Sequence, residues 1–272
     1  MGGRYRLAGL DLYSLGYLLF LYGPVLLLPL FSLNNSIYIA FPFKGFTLDW
    51  YRQMADDAAL GACLRASLQV AASVAVISTV LGTLGAKAFT RYRLPGRAPI
   101  LGFLLLPLVI PSLVLALALL VLIRRVLGLE LSLYTVVAGH VMLCVPYAML
   151  VMISRMEGFD RSLEEASYDL GDSPWQTFWR VTLPLVWPGI LSSLLLCFSA
   201  SFDEYVLAAF LTGDQSTLPV YIYSQLRFPQ RLPGVLALGS CILLGSIFVV
   251  TVAEWIRRIG VRDRSVGETV LP

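Results

Sequence analysis

Six long apolar stretches, each set between short polar segments, leave this chain few folds to adopt. They run at about residues 12–33, 62–89, 98–123, 133–153, 186–211 and 235–256. Each supplies roughly the 20 residues that an α-helix needs to cross a bilayer core. Hydrocarbon offers no partner to a backbone N–H or C=O, so stretches of this kind become helices. Composition agrees: 58% of the 272 residues are hydrophobic and 14% charged, against about 25% charged in an ordinary soluble domain. The expected fold class is all-α, a polytopic membrane protein with six transmembrane helices. The first stretch is too long for a removable signal peptide and lacks a small-residue cleavage site, so it reads as the first span.

The polar segments define the remaining organisation. Residues 1–11 form a short lead, 34–61 an outer segment, 62–256 a core domain and 257–272 a tail. With both termini inside, the inner segments hold thirteen Lys and Arg and the outer segments seven. The positive-inside rule therefore places both ends in the cytoplasm, although Arg124 and Arg125 run against it. Pro24 and Pro29 are expected to break span 1. Pro107 and Pro111, one turn apart, predict a kink in span 3 with both rings on one face, packed against protein.

Residues 158–185 carry an unusual density of charge, caps and prolines. Ser162 and Glu165 have the spacing of a capping box, and Gly171 suits the left-handed position just past a helix. Ser173, Pro174 and Gln176 then read as a second cap, first turn and box. Pro184 and Pro188 are expected to break the chain beyond that second helix. The outcome is a helix–turn–helix elbow, with Leu163, Ala166 and Leu170 sharing a face of its first helix.

Several chemistries are excluded. The net charge is +3, and no basic tract interleaves with aromatics, so nucleic acid is not a partner. Cys63, Cys144, Cys197 and Cys241 lie in apolar runs without metal-ligand spacing, so no metal site is expected. Gly82 to Ala88 lacks the spacing of a nucleotide-binding loop. His140, the single histidine, reads as a packing residue, and no catalytic triad can be assembled. The chain is a pathway rather than an enzyme.

Asp203 and Glu204 fall inside the fifth apolar run. A carboxylate at membrane depth costs about 2.5–3.5 kcal/mol, so each must face the bundle interior, water or a partner. They could attract a cationic solute or pair with neighbouring protein. Ser199 shares a face with Asp203, and Tyr147 in span 4 could line the same path. Tyr221, Tyr223 and Arg227 lie in the outer loop, placed either to meet a delivery protein or to anchor at the interface.

Glu165-Ala166-Ser167, Gly171 and Val181-Thr182-Leu183-Pro184 resemble the "EAA" loop of ABC-importer permeases, with Ser167 and Val181 as small departures. Phe159 to Ala166 also resembles that family, and Gly45 to Tyr51, Arg91 to Arg93, His140 to Pro146, Ser201 to Glu204, Phe210 to Gly213 and Thr217 to Ser224 are similar to the second permease of spermidine/putrescine importers. Phe228 to Gly234 departs from that pattern, and Glu204 stands where an Asp is expected. The resemblance implies the type I importer fold in a bacterial inner membrane, with segment 34–61 periplasmic. It also implies a heterodimer with a sister permease, two copies of an ABC ATPase that binds ATP and magnesium, and a periplasmic substrate-binding protein. No cofactor belongs to this chain. Leu163, Glu164, Glu165, Ala166, Ser167, Asp169, Gly171, Leu183 and Pro184 would couple to the ATPase. The solute would be polyamine-like, or alternatively an amino-phosphonate, an opine-like compound or ferric ion. A secondary transporter driven by an ion gradient is the alternative of a different class; it calls for inverted repeats, and no internal repeat is visible.

Overall fold

The computed structural model describes residues 2–92 and 94–267, with side chains for 10–92, 94–248 and Thr251. Arg4, Arg6, Arg93 and the arginines of the tail therefore lie outside the described side chains. In chain order the helices are α1 (Gly2–Ser32), α2 (Asp49–Ala55), α3 (Ala58–Arg91), α4 (Arg97–Val109), α5 (Ser112–Val121) and α6 (Leu133–Glu157). They continue as α7 (Ser162–Asp169), α8 (Pro174–Thr177), α9 (Leu183–Phe202), α10 (Val206–Leu211), α11 (Leu218–Gln225) and α12 (Leu232–Gly267). No strand occurs among the described residues, so the chain is all-α as expected. Five helices are long and apolar enough to cross a membrane, and a sixth span exists if α4 and α5 are counted as one.

Two units make up the chain. The first comprises Met1–Ala58 and Ile222–Pro272. Here α1 runs through Pro24 and Pro29 without a break, contrary to expectation. Each proline removes one backbone hydrogen bond, but in an apolar setting the remaining bonds have no competing water. Past Ser32 the chain folds back on itself. Asn34 Oδ1 accepts from the Lys44 N–H at 3.1 Å, and Trp50 Nε1 donates to the Asn34 carbonyl at 3.0 Å. Tyr51 Oη lies 2.6 Å from Ser32 Oγ. Trp50 and Tyr51 thus staple the segment to the end of α1. The segment itself contains α2, a helix that its polar composition concealed.

The second unit, Ala59–Tyr221, holds the core of the molecule. Its centre is the α6–α9 contact, where Cys144 and Cys197 are both fully buried. Each thiol lies against the other's carbonyl, at 3.9 and 3.6 Å. α3 joins them through a buried hydroxyl pair, Thr79 with Ser193 at 3.1 Å. Small residues are what allow this packing, since apolar burial gives helices little reason to associate in lipid. α10 packs Leu207, Ala208 and Leu211 against α5 and α6, all three fully buried.

Span 3 departs furthest from expectation. α4 and α5 meet at 99° instead of a modest kink. Ile110 is extended (φ −72°, ψ 130°) because the following Pro111 ring excludes the helical conformation there. Pro107 is buried and Pro111 exposed, so the two rings do not share an environment. A second difference is at the other end of the core. Pro184 and Pro188 do not interrupt the chain: α8, a π-helical turn over Phe178–Thr182 and α9 form one helix, Pro174–Phe202. The wider π turn accommodates the missing Pro184 N–H and its ring.

Gly82 marks a close approach of α3 to α6: a Cβ there would stand 2.5 Å from Ala148 Cβ and 2.8 Å from the Met149 nitrogen. Gly82→Val should therefore push the helices apart, costing about 1–3 kcal/mol. A lowered unfolding temperature of the detergent-solubilised protein measures this, and an unchanged one refutes the close contact.

Candidate functional site

The elbow is assembled from local signals that only partly match the expected ones. The Asp160 carboxylate, not Ser162, begins α7: its Oδ1 accepts from the Ser162 N–H at 3.0 Å. That bond holds the Asp160 carboxyl below its ordinary value of 3.8. Ser162 is already helical, so no box with Glu165 forms. Glu165 instead reaches back to Arg161 at 3.4 Å on the exposed surface. At the other end of α7, Gly171 has φ +93°. Its N–H donates to the Tyr168 carbonyl at 2.9 Å, and the Asp172 N–H donates to Ser167 at 3.1 Å. This is the paired closure of a left-handed helix terminus. The second cap forms as expected: Gln176 N–H donates to Ser173 Oγ, and Ser173 N–H to Gln176 Oε1 at 2.8 Å.

Two faces of α7 then separate. Glu164 and Ser167 point inward and are buried, while Leu163, Glu165, Ala166, Asp169 and Leu170 point outward. Leu170 is 89% exposed. Inside, the Glu164 carboxylate sits between two other elements. Its Oε2 lies 2.5 Å from Arg91 Nε at the end of α3, and its Oε1 accepts from Thr182 Oγ1 at 2.6 Å. The Arg91 contact is a close charge pair rather than an aligned hydrogen bond, since Nε lacks hydrogen-bond geometry. Arg91 Nη2 donates to the Met156 carbonyl at 3.2 Å, and its guanidinium lies over the Phe159 ring. Ser167 Oγ donates to Asp172 Oδ2 at 3.0 Å and lies 3.0 Å from Thr177 Oγ1. Asp172 in turn receives Arg180 at 2.9 Å. Leu183 is half-buried and Pro184 exposed just beyond the π turn.

Sequence reasoning grouped Glu164 with the residues that would couple to the ATPase and gave Arg91 no role in the elbow. A signal was available. If Leu163, Ala166 and Leu170 face outward, the polar residues 164 and 167, on another face, must face in and require partners.

The expected path residues do not form one cluster. α9 ends at Phe202, so Asp203 and Glu204 occupy a break between helices instead of lying within a continuous span helix. Glu204 Oε1 accepts from the Val206 and Leu207 N–H groups at 2.9 and 3.1 Å, which caps α10. A carboxylate that accepts from free N–H groups at a helix start satisfies backbone donors which the break leaves open. Asp203 and Ser199 are exposed and linked through backbone, and Tyr147 is 37% exposed on α6. No hydrogen bond joins Tyr147 to the other three among the described residues. His140 is buried as expected, with Nδ1 2.9 Å from Ser201 Oγ. The outer loop contains α11, which carries Tyr221 and Tyr223. Tyr221 closes one unit, while Tyr223 and Arg227 belong to the other and are exposed.

Two predictions test the elbow. Glu164→Ala leaves the buried Arg91 guanidinium uncompensated and should destabilise the unit by about 3–5 kcal/mol. The double variant Arg91→Met/Glu164→Leu should recover most of that loss in thermal unfolding, whereas a pair that contributed nothing would leave both single variants unchanged. The Asp160 cap is present above the ordinary carboxyl pKa of 3.8 and lost only as pH falls through its lowered folded value. Hydrogen exchange in α7 should therefore keep the same protection from pH 8 to 5, after correction for intrinsic rates.

Comparison with known proteins places this architecture. Residues 59–259 match the family described as "Binding-protein-dependent transport system inner membrane component". The putrescine transport system permease protein PotI of Escherichia coli strain K12 is 33% identical over 243 residues, covering 87% of this chain and 85% of that one. The spermidine/putrescine transport system permease protein PotC of the same strain is 32% identical over 251 residues, covering 92% of each. A chain of a bacterial ABC transporter that imports the acidic polysaccharide alginate shares the fold, with a TM-score of 0.72 at 18% identity over 95% of this chain and 98% of that one. The chain therefore belongs to the family of inner-membrane components of binding-protein-dependent transport systems, and is a multi-pass transport subunit rather than an enzyme.

Proposed function

We propose that the chain is the permease subunit of an ATP-driven importer for linear polyamines. The observation that carries this reading is the 32–33% identity to PotC and PotI across 87–92% of the chain. Family membership removes the ground for transport driven by an ion gradient. In the assembly we propose, a sister permease completes the path, two ATPase subunits bind ATP and magnesium, and a periplasmic protein delivers the solute. Both termini and the elbow face the cytoplasm. The exposed stripe of Leu163, Ala166 and Leu170 supports the elbow as the docking point for an ATPase: an apolar face on a short, firmly anchored helix suits a protein groove. Glu164, Ser167 and Gly171 hold that face in place, and Glu165, Asp169, Leu183 and Pro184 complete the coupling residues of this reading. Asp203, Ser199 and Tyr147 are the path residues of this reading, and Tyr221, Tyr223 and Arg227 its contacts with the delivery protein.

Co-purification from mild detergent should recover a second permease and an ATPase. The reconstituted complex should hydrolyse ATP faster when its binding protein carries putrescine or spermidine, and should accumulate that polyamine. Stimulation by an amino-phosphonate or ferric ion alone would replace the solute, and a chain that transports without ATP would overturn the mechanism. Leu170→Glu, at an 89% exposed position, should leave the fold intact yet reduce ATPase recovery in the same pull-down severalfold, because a charge at the centre of an apolar contact is left desolvated.

A further inference from the structure

The Ala59–Tyr221 unit contains a cavity of about 570 Å³ that none of the roles above uses. Gln69, Ser73 and Ile77 of α3 line one wall, Ser132 and Tyr134 at the start of α6 line another, and Asp214 closes it. Gln69 lies 22 positions before Arg91 on α3, about 33 Å along the helix at 1.5 Å per residue. The cavity therefore flanks the middle of α3, away from the elbow. Gln69 and Ser73 are exposed, one turn apart on a helix that is otherwise apolar enough to cross a membrane. Ser73 Oγ is satisfied by the Gln69 carbonyl at 2.7 Å, so it is the Gln69 side-chain amide that calls for water, solute or protein on this face.

Asp214 is held in place from both sides. Gly213 lies so close to the start of α6 that an added Cβ would overlap the Leu131 carbonyl oxygen. Thr135 Oγ1 donates to the Leu211 carbonyl at 2.7 Å, and Thr212 Oγ1 bonds the Gln215 carbonyl. On the far side the Leu218 N–H donates to buried Ser67 Oγ on α3 at 2.7 Å. The segment thus bridges α6 and α3. Its carboxylate has no ion pair among the described residues and is the one charged group in the lining. Arg65, one turn from Gln69, does not line the cavity, and its Nε donates to the Gly61 carbonyl at 3.2 Å.

We propose that this cavity is a receiving site for a protonated alkylamine, with Asp214 as the group that attracts it. A carboxylate at one wall, amide and hydroxyl acceptors on α3 and the exposed ring of Tyr134 suit an ammonium group. The apolar lining between them suits a methylene chain. A neutral or anionic solute would gain nothing from the single charge. The assignment rests on the polyamine reading above and adds where the solute is first held by this chain.

The test uses the assembled complex with Cys241→Ser, which removes the exposed thiol and leaves three buried ones, and with Ser73→Cys as a reporter. A cationic methanethiosulfonate reagent should label residue 73 about tenfold faster than an anionic one, after correction for their rates with a free thiol. Asp214→Asn should abolish most of that preference, Asp214→Glu should keep it, and putrescine should slow the labelling. An unchanged preference in Asp214→Asn, or labelling that millimolar putrescine leaves untouched, overturns the proposal. Uptake of putrescine by the complex without Ser73→Cys is measured separately. Uptake without charge preference sinks this site alone; charge preference and putrescine protection without uptake support the site while sinking the importer reading.

Discussion

A buried charge needs a countercharge, and Glu164 is the point at which that requirement organises the elbow end of the Ala59–Tyr221 unit. Side chains of Glu164 and Arg91 are 6% and 12% exposed. Water contributes little to either, so each depends on the other. Arg91 ends α3, Thr182 lies in the π turn, and Met156 near the end of α6 accepts from Arg91. One carboxylate thereby ties α7 to three long helices. Buried ion pairs add little net stability compared with apolar packing. What this one supplies is definition: α7 has eight residues, too few to hold its orientation by burial, and it presents its apolar stripe outward.

The spans and the elbow were legible because they rest on strong, local signals. Twenty apolar residues admit only a helix in lipid, and Gly171, Ser173 and Gln176 behave as their spacing requires. The differences arise where two local rules compete. Ser162 is a good cap in isolation, but Asp160 offers a stronger acceptor two residues earlier. Pro184 and Pro188 ordinarily stop a helix, but one π turn absorbs the defect. Pro111 acts as a mild kink in many helices, but here the extended Ile110 turns it into a right angle. Glu204 reads as a charge in a span until its carboxylate is seen capping α10. Sequence spacing shows which residues could interact, and the choice among them depends on neighbours brought together from far along the chain. Arg91 is 73 positions from Glu164 and left no sign of the pairing.

Two regions of the Ala59–Tyr221 unit, the elbow and the Asp214 segment, solve different problems with similar means. At the elbow, hydroxyls and carboxylates are used inwardly, and an apolar surface is left outward. At the Asp214 segment, the backbone is bonded inwardly through Thr135 and Ser67, and polar side chains are left facing open space. Between them alanine, glycine, cysteine and buried hydroxyls make the close helix contacts, and bulkier side chains such as Met149, Met152, Leu207 and Leu211 fill the rest of the core.

The uninterrupted helix from Pro174 to Phe202 has a mechanical meaning. Its 29 residues extend about 43 Å at 1.5 Å each. One end carries the Ser173 cap of the elbow, and the other stops at the exposed Asp203. In a rod of this length a tilt of about 5° at one end corresponds to a displacement of about 4 Å at the other, roughly the spacing of packed side chains. Had Pro184 or Pro188 broken the rod, the same tilt would have been lost at a joint. The π turn carries the helix through the two residues best suited to break it.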